Sequence, residues 1–268
     1  MARRVFTAIL LLAILTPAVL AGGTAFFILA ALFIGIATWE YCQMFLMRGF
    51  QPSPAVTTAG VLFVLAARAF GPQQAGAAVA LTVLLSMGYH VVRYEMGRDE
   101  AVIDLAVTLG GILYLGWIGA YLLDLRGLPD GAWWLVLVLV IVWTADSAAY
   151  FIGVRFGQHK LAVRLSPRKS WEGYWAGVLC GTAAASLLGY VYGRLGGPEI
   201  LQWQALGLGL VLSTLTTLGD LGESLIKRFA GMKDSGNLLP GHGGAFDRID
   251  SLIWAGVLGY YWMQFIMM

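Results

Sequence analysis

Long apolar runs constrain the fold of this chain more than any other feature of its sequence. A helix needs about 20 mainly apolar residues to cross the hydrocarbon core of a bilayer, and runs of that kind follow one another with few interruptions. Of the 268 residues, 59% are hydrophobic and 12% are charged, whereas a soluble domain carries roughly 25% charged residues. We therefore predict an integral membrane protein and exclude a soluble enzyme, a disordered chain and a nucleic-acid-binding protein.

Nine segments are apolar over roughly the length of a membrane helix. They are too long, and too rich in Leu and Ala, to be the tilted strands of a β-barrel, so we predict an all-α fold with about nine transmembrane helices. The first segment resembles a signal peptide, but a second apolar segment begins at Thr24, so we expect a retained span. The predicted spans lie near 5–21, 24–45, 55–70, 75–92, 102–123, 133–153, 173–193, 203–226 and 245–266.

The distribution of basic residues predicts how these spans are oriented. If the N-terminus is cytoplasmic and the spans alternate in direction, fourteen of the seventeen Lys and Arg residues fall in cytoplasmic segments. Short cytoplasmic loops of membrane proteins are enriched in these residues. We therefore expect a cytoplasmic N-terminus and a C-terminus on the outer side of the membrane.

Polarity changes along the chain near residue 130. We predict that residues 1–130 form a transmembrane scaffold and that residues 131–268 carry the chemistry. The two longest cytoplasmic loops, 154–172 and 227–248, hold nine of the seventeen basic residues and two of the three histidines. The two cysteines, Cys42 and Cys180, are far apart in sequence, which indicates neither a disulfide framework nor a zinc site.

Acidic side chains within apolar spans cost roughly 2.5–3.5 kcal/mol each, so each needs an explanation. Three lie in or at the cytoplasmic ends of predicted spans: Asp146, Asp220 and Glu223. With Ser224 and Lys227, Asp220 and Glu223 have the spacing i, i+3, i+4, i+7 and share one helix face. That face points toward a bundle interior or an aqueous cleft, and a purely structural ion pair explains it equally well. We interpret Glu40, near the end of the second span, as an interfacial or interhelical residue.

Both cytoplasmic loops have the residue types of a phosphate-binding site. In the first, Ser166, Arg168, Lys169 and Ser170 precede a predicted helix, and backbone N–H groups at a helix start favour anions. Ordinary positive charge beside anionic lipid is the alternative explanation.

The second loop is the more specific of the two. Residues 233–250 contain three acidic residues, two basic residues, one histidine and four glycines. Carboxylates with a single histidine and no cysteine suit Mg²⁺ rather than zinc. Mg²⁺ usually binds through one or two carboxylates together with substrate phosphates, and nearby basic residues would neutralise the remaining phosphate charge.

Three stretches of the C-terminal half carry a recognisable pattern. The first is Asp146-Ser147-Ala148-Ala149-Tyr150, and the second combines Gly157-Gln158-His159-Lys160 with Ser166-Pro167-Arg168-Lys169-Ser170-Trp171-Glu172-Gly173. The third combines Ser224-Leu225-Ile226-Lys227-Arg228, Lys233-Asp234, Pro240-Gly241-His242-Gly243-Gly244 and Asp247-Arg248-Ile249-Asp250. Together they resemble the signature of the phosphatidate cytidylyltransferases, also called CDP-diacylglycerol synthases. The chain departs from that pattern at Gln158, where Lys is common, and at Ala245, where a larger aliphatic residue is usual.

The resemblance implies a nine-span helical enzyme, often dimeric, that converts CTP and phosphatidate to CDP-diacylglycerol and pyrophosphate. We therefore expect a homodimer in the cell (inner) membrane. The distribution of basic residues predicts that its active site faces the cytoplasm, and the composition predicts no nucleic-acid partner. The aspartates matching Asp220 and Asp247 bind metal in this family, with Mg²⁺ and a second cation as the expected ions.

The resemblance and the residue pattern together give a set of expected site residues. We expect Asp220, Asp247, Lys227 and Arg248 to be catalytic, and Asp220, Asp247, Asp146 and Glu223 to hold metal. The expected substrate-binding residues are Ser166, Arg168, Lys169, Ser170, Ser224, Arg228, Lys233, His242, Gly243 and Gly244.

Two other functions remain open at this stage. A CTP-dependent lipid kinase acting on a polyprenol would use the same nucleotide but transfer the γ-phosphoryl group. An ion-coupled membrane transporter would explain the intramembrane carboxylates, but the chain has no visible repeat of the kind common in transporters.

Overall fold

A computed structural model describes residues 13–236 and 243–267. The part of the predicted first span before residue 13 and the loop residues 237–242, His242 among them, lie outside the described residues. The described chain is all-α apart from one short hairpin. Its elements are α1 (residues 13–21), α2 (Gly23–Leu46), α3 (Pro54–Phe70), α4 (Ala75–Glu95), α5 (Ala101–Gly111), α6 (Tyr121–Gly127), α7 (Gly131–Phe156), β1 (Lys160–Ala162), β2 (Ser166–Ser170), α8 (Trp171–Tyr192), α9 (Gln202–Ala230) and α10 (Phe246–Trp262), with π-helical segments at Ile112–Ile118 and Met263–Met267.

These helices fall where the apolar runs of the sequence predict them. Among the described residues, six helical segments are both long and apolar enough to cross a bilayer, which identifies a multi-pass membrane protein. The helix Pro54–Phe70 is apolar but shorter. The six long segments are Gly23–Leu46, Pro72–Glu95, Ala101–Gly127, Gly131–Phe156, Trp171–Leu195 and Gln202–Ala230.

Helix α9 extends one turn beyond its predicted end. Lys227 and Arg228, expected in the following loop, lie in its last turn, where cations are favourable. Gly231 ends the helix with a φ of 73°, and the N–H of Met232 donates to the carbonyl oxygen of Lys227 at 2.8 Å. This is the geometry of a glycine C-cap.

The described residues form two compact units. Unit 1 takes the chain up to Asp124 together with Ile226–Ile249, and unit 2 takes Leu125–Leu225 together with the chain from Asp250 onward. The two units are defined by how residues pack together and not by what they do. The division into a scaffold (1–130) and a catalytic region (131–268) therefore stays a prediction about function.

Buried polar contacts hold the loops of unit 1 in place. Asp104 is 1% exposed and accepts hydrogen bonds from the backbone N–H of Gln51 at 2.6 Å and from Nε of Arg98 at 2.8 Å. A buried carboxylate is tolerated because it is paired and hydrogen-bonded in this way. The contact therefore ties the α2–α3 and α4–α5 connections together.

Unit 2 is built on the close approach of α7 and α8. Small residues recur at every fourth position along the buried face of α8: Gly173, Gly177, Gly181, Ala185 and Gly189. A Cβ at Gly173 would lie 2.5 Å from the carbonyl oxygen of Ala149, so the two helix backbones are in direct contact there. Small-residue stripes of this kind allow helices to pack closely in a bilayer.

The loop 154–172 of unit 2 contains the hairpin. Strand β1 pairs with β2 in the antiparallel sense, with Lys160 opposite Ser170 and Ala162 opposite Ser166. At its end Ser170 caps α8, because its Oγ accepts the N–H of Gly173 at 3.2 Å. Hairpin and helix are thus joined without a flexible linker.

Candidate active site

Three carboxylates of unit 2 converge to form the acidic cluster, which consists of Asp220, Glu223 and Asp250. Asp220 and Glu223 lie one turn apart on α9, and Asp250 comes from α10. One carboxylate oxygen from each lies within 4.8 Å of the others. Glu223 is 1% exposed, and the two aspartates are half-buried.

A glycine next to the acidic cluster permits this approach of α9 and α10. A Cβ at Gly219 would lie 2.7 Å from the carbonyl oxygen of Asp250 and 2.8 Å from Cδ1 of Trp254. No larger residue fits there without displacing α10. Gly219 therefore lets Asp250 reach the carboxylates of α9.

The donor chemistry of the acidic cluster fits a hard divalent cation. All three candidate ligands are carboxylate oxygens, and no nitrogen or sulfur belongs to the group. Mg²⁺ and Ca²⁺ prefer such oxygens, whereas zinc sites are dominated by His and Cys. The three residues would hold the ion and leave further positions for substrate oxygens.

The hairpin contributes a cation to the acidic cluster. Nζ of Lys169, on β2, lies 2.7 Å from Oδ2 of Asp220, with the two side chains 25% and 34% exposed. Ser224 is one turn beyond Asp220 on α9, and its Oγ lies 3.5 Å from Oδ1 of that residue. Asp220 of the predicted stripe and Lys169 of the predicted phosphate-binding loop are therefore in contact within unit 2.

A second contact holds the hairpin turn to α8. The carboxylate of Glu172 accepts hydrogen bonds from the backbone N–H groups of Gln158 and His159 and lies 2.6 Å from Nδ1 of His159. The N–H of Trp171 also donates to the carbonyl oxygen of His159 at 2.9 Å. Because Gln158 takes part through its backbone, its departure from the family pattern leaves this contact intact.

Asp247 has a different environment, in unit 1. Its Oδ1 lies 2.6 Å from Nζ of Lys227. Its Oδ2 accepts the backbone N–H groups of Ser235 and Gly244, each at 2.9 Å, and lies 2.9 Å from Oγ of Ser235. Gly243 has a φ of 80°, and a Cβ there would lie 2.5 Å from Oδ2 of Asp247. This carboxylate therefore organises the glycine segment that precedes α10.

The remaining predicted residues are more dispersed. Asp146 lies on α7 and is exposed, and it is not a member of the acidic cluster among the described residues. Ser166 and Arg168 lie on β2, where Arg168 is exposed and Ser166 is half-buried. Arg228, Lys233 and Arg248 are exposed residues of unit 1. The buried Ser170 uses its hydroxyl to cap α8.

Sequence reasoning left two acidic residues out of the site, Asp250 and Glu40. A signal for Asp250 was available, because it lies three residues after Asp247 and therefore one turn along the same helix. Glu40 has no such signal, since its hydrogen-bond partners are Ser235, Ala245 and Phe246, about 200 residues away in sequence.

Comparison of the amino-acid sequence with known proteins assigns the chain to a family. The sequence matches the Cytidylyltransferase family over residues 2–266. It is 31% identical over 255 residues to a protein of Staphylococcus aureus (strain COL) named phosphatidate cytidylyltransferase, with 93% of this chain and 94% of the relative covered. Proteins of the same name from Staphylococcus saprophyticus and Staphylococcus epidermidis are 32% and 34% identical, with the same coverage. The chain therefore belongs to the cytidylyltransferase family.

Proposed function

We propose that this protein transfers the cytidylyl group of CTP to phosphatidate, giving CDP-diacylglycerol and pyrophosphate for phospholipid biosynthesis. The observation that carries the proposal is the acidic cluster with Lys169 beside it, in a multi-pass membrane protein of the cytidylyltransferase family. Carboxylates that hold a cation and a lysine that neutralises phosphate are the components that nucleotidyl transfer requires.

The reaction needs positioning and charge neutralisation more than covalent catalysis. A phosphate oxygen of phosphatidate attacks the α-phosphorus of CTP, and the bond from that phosphorus to the bridging oxygen of pyrophosphate breaks. No general base is needed, because phosphatidate is already an anion at neutral pH. His242, outside the described residues, therefore ranks below the aspartates.

The acidic residues divide into two proposed roles. Asp220, Glu223 and Asp250 would hold Mg²⁺, which when bound neutralises negative charge on the CTP phosphates. Asp247 and Asp146 are the further proposed ligands, including for a second cation. Asp247 also keeps its contact with Lys227.

The basic and small residues would bind the substrates. Lys227 and Arg248 are the proposed catalytic cations. The proposed substrate-binding residues would contact either CTP or the lipid phosphate. The supporting observation is that Lys169 extends from the hairpin to Asp220, while Gly243 and Gly244 leave little room for side chains beside Asp247 and Glu40. These substrate-binding residues are Ser166, Arg168, Lys169, Ser170, Ser224, Arg228, Lys233, His242, Gly243 and Gly244.

We propose nine transmembrane spans, with the N-terminus and the active site on the cytoplasmic side of the cell membrane and the C-terminus outside. Fourteen of the seventeen basic residues support this orientation. CTP would then arrive from the cytosol, and phosphatidate would enter laterally from the inner leaflet. A homodimer is part of the proposal.

Labelled nucleotide distinguishes this reaction from the two alternatives. Purified protein in detergent is given phosphatidate, Mg²⁺ and CTP labelled at the α-phosphorus, with γ-labelled CTP in a parallel reaction. The proposal expects α-label in lipid and γ-label in pyrophosphate, each dependent on phosphatidate. In a further reaction that contains a polyprenol, transfer of γ-label to this lipid alcohol would identify a kinase. Label that stays in CTP with every lipid, although the protein is folded, would favour a transporter.

A further inference from the structure

The side chain of Glu40 is buried inside unit 1 and makes three contacts with the segment around α10. It is 8% exposed. Its Oε2 accepts the backbone N–H of Phe246 at 2.9 Å and lies 2.9 Å from Oγ of Ser235, and its Oε1 accepts the N–H of Ala245 at 3.1 Å. A carboxylate from α2 therefore meets residues about 200 positions further along the chain.

Two of these contacts cap a helix. Helix α10 begins at Phe246, and the first N–H groups of a helix have no acceptor within it. The carboxylate of Glu40 supplies acceptors for the N–H groups of Ala245 and Phe246, and negative charge is favourable at this end of a helix. Asp247 directly follows Phe246, so the cap also helps to fix the position of the Asp247 Cα atom, from which its side chain extends.

Two glycines make room for the carboxylate. A Cβ at Gly236 would lie 2.5 Å from Oε1 of Glu40, and a Cβ at Gly244 would lie 2.3 Å from its Oε2. Neither glycine has a positive φ, so backbone conformation alone does not require glycine at these positions. The space occupied by Glu40 does.

Ser235 connects Glu40 to the proposed catalytic residues. Its Oγ lies 2.9 Å from Oε2 of Glu40 and 2.9 Å from Oδ2 of Asp247. Oδ1 of Asp247 in turn pairs with Nζ of Lys227. A continuous chain of polar contacts thus runs from α2 to Asp247 and Lys227, all within unit 1.

We propose that Glu40 is a positioning residue for cytidylyl transfer. Through the α10 cap and Ser235 it holds Asp247 and Lys227 in the geometry that turnover requires, without contacting substrate itself. This proposal rests on the proposed function for its kinetic consequence, although the anchoring of the segment can be tested without it.

The kinetic test compares Glu40→Gln with a matched control. Glutamine keeps the length of the side chain but replaces one accepting oxygen by an N–H₂ group and removes the negative charge, so the anchor loses at least one backbone N–H contact. Thr38→Val is the control, since Thr38 is equally buried on α2 and its hydroxyl bonds only the carbonyl oxygen of Ile34 within that helix. Displacement of catalytic groups by about 1 Å can cost roughly a hundredfold, so we expect kcat to fall by about ten- to a hundredfold in Glu40→Gln.

A merely structural role predicts a different pattern. It would lower the yield and the melting temperature and leave kcat per folded molecule within about twofold of Thr38→Val, and that result would overturn the proposal. Glu40→Asp keeps the charge and covers the case in which Glu40→Gln does not fold. We expect it to retain more kcat than Glu40→Gln, and wild-type kcat in Glu40→Asp together with unfolded Glu40→Gln would also count against positioning.

A proteolysis measurement makes failure of this proposal distinguishable from failure of the proposed function. Lys233 is exposed two residues before Ser235, and Arg164 is exposed in the hairpin turn of unit 2. We expect trypsin to cleave after Lys233 faster in Glu40→Gln than in Thr38→Val, relative to cleavage after Arg164. An unchanged ratio would overturn the anchor whatever the activity, and wild-type protein without cytidylyl transfer would refute the function alone.

Discussion

The substitution Asp250→Asn tests whether the acidic cluster, which consists of Asp220, Glu223 and Asp250, holds a cation. Its carboxylate oxygens lie within 4.8 Å of one another. At an effective dielectric constant of about 20, two like charges at that distance repel by roughly 3 kcal/mol. Asp250 takes part in two such pairs, and the partial exposure of the two aspartates reduces the repulsion through screening by solvent. A bound divalent cation offsets this repulsion, because each of the three carboxylates attracts the ion. Asp250→Asn removes one of these three negative charges.

The expected result is a loss of stabilisation by Mg²⁺. A ligand at a hundred times its Kd stabilises a protein by about 2.7 kcal/mol, which corresponds to a rise of roughly 5–10 °C in melting temperature for a chain of this size. We expect a rise in that range for the wild type and less than about 2 °C for Asp250→Asn. Turnover should fall at least about a hundredfold, because the ion neutralises charge in the transition state.

The assay pairs thermal unfolding in detergent, with and without Mg²⁺, with transfer of α-label from CTP to phosphatidate. Asp99→Asn is the matched control, because Asp99 is an exposed aspartate outside the acidic cluster. The assignment of Asp250 to the metal site would be refuted if Asp250→Asn showed the same Mg²⁺-dependent rise in melting temperature and the same turnover as Asp99→Asn.

Further predictions concern the remaining site residues and the helix packing. Asp220→Asn and Asp247→Asn should each abolish turnover while the protein stays folded, and wild-type turnover in either would contradict its role. Lys169→Met should lower the free energy of unfolding by under about 1 kcal/mol, because its ion pair with Asp220 is partly exposed. It should still reduce kcat/KM for CTP at least about tenfold. An unchanged kcat/KM in the folded variant would contradict this role. Gly177→Ala should lower the unfolding free energy by about 1–3 kcal/mol, since its Cβ would lie 2.8 Å from a backbone carbonyl oxygen of α7. Gly88→Ala, within α4, meets no atom within 4 Å, so it should raise the unfolding free energy by up to about 1 kcal/mol.

The helices were predictable from the sequence because a bilayer imposes one requirement on every span. Apolar residues must continue for about 20 positions with the backbone hydrogen-bonded internally, and this requirement is visible residue by residue. The predicted spans near 133–153 and 173–193 correspond to Gly131–Phe156 and Trp171–Tyr192. The stripe of Asp220 and Glu223 was equally visible, since helical periodicity alone places both on one face.

The hairpin at 160–170 was not predictable in the same way. Its strands are three and five residues long, and their charged residues lack the apolar alternation that indicates a strand. Their pairing depends on contacts beyond the strands, among them Glu172 holding the backbone of Gln158 and His159. Such contacts require the first turn of α8 to lie beside the hairpin.

By itself, the sequence determined that this chain is an all-α membrane protein of the cytidylyltransferase family, and it predicted that the chemistry lies in the C-terminal half. Only the tertiary structure decided which carboxylates lie close together. Asp247 and Asp250 are one turn apart on α10, but the first contacts Lys227 and Ser235 while the second joins Asp220 and Glu223. Glu40 meets Ser235 across 195 residues. The physical reason is that periodicity describes one helix, whereas the neighbours of a side chain depend on how helices distant in sequence pack together.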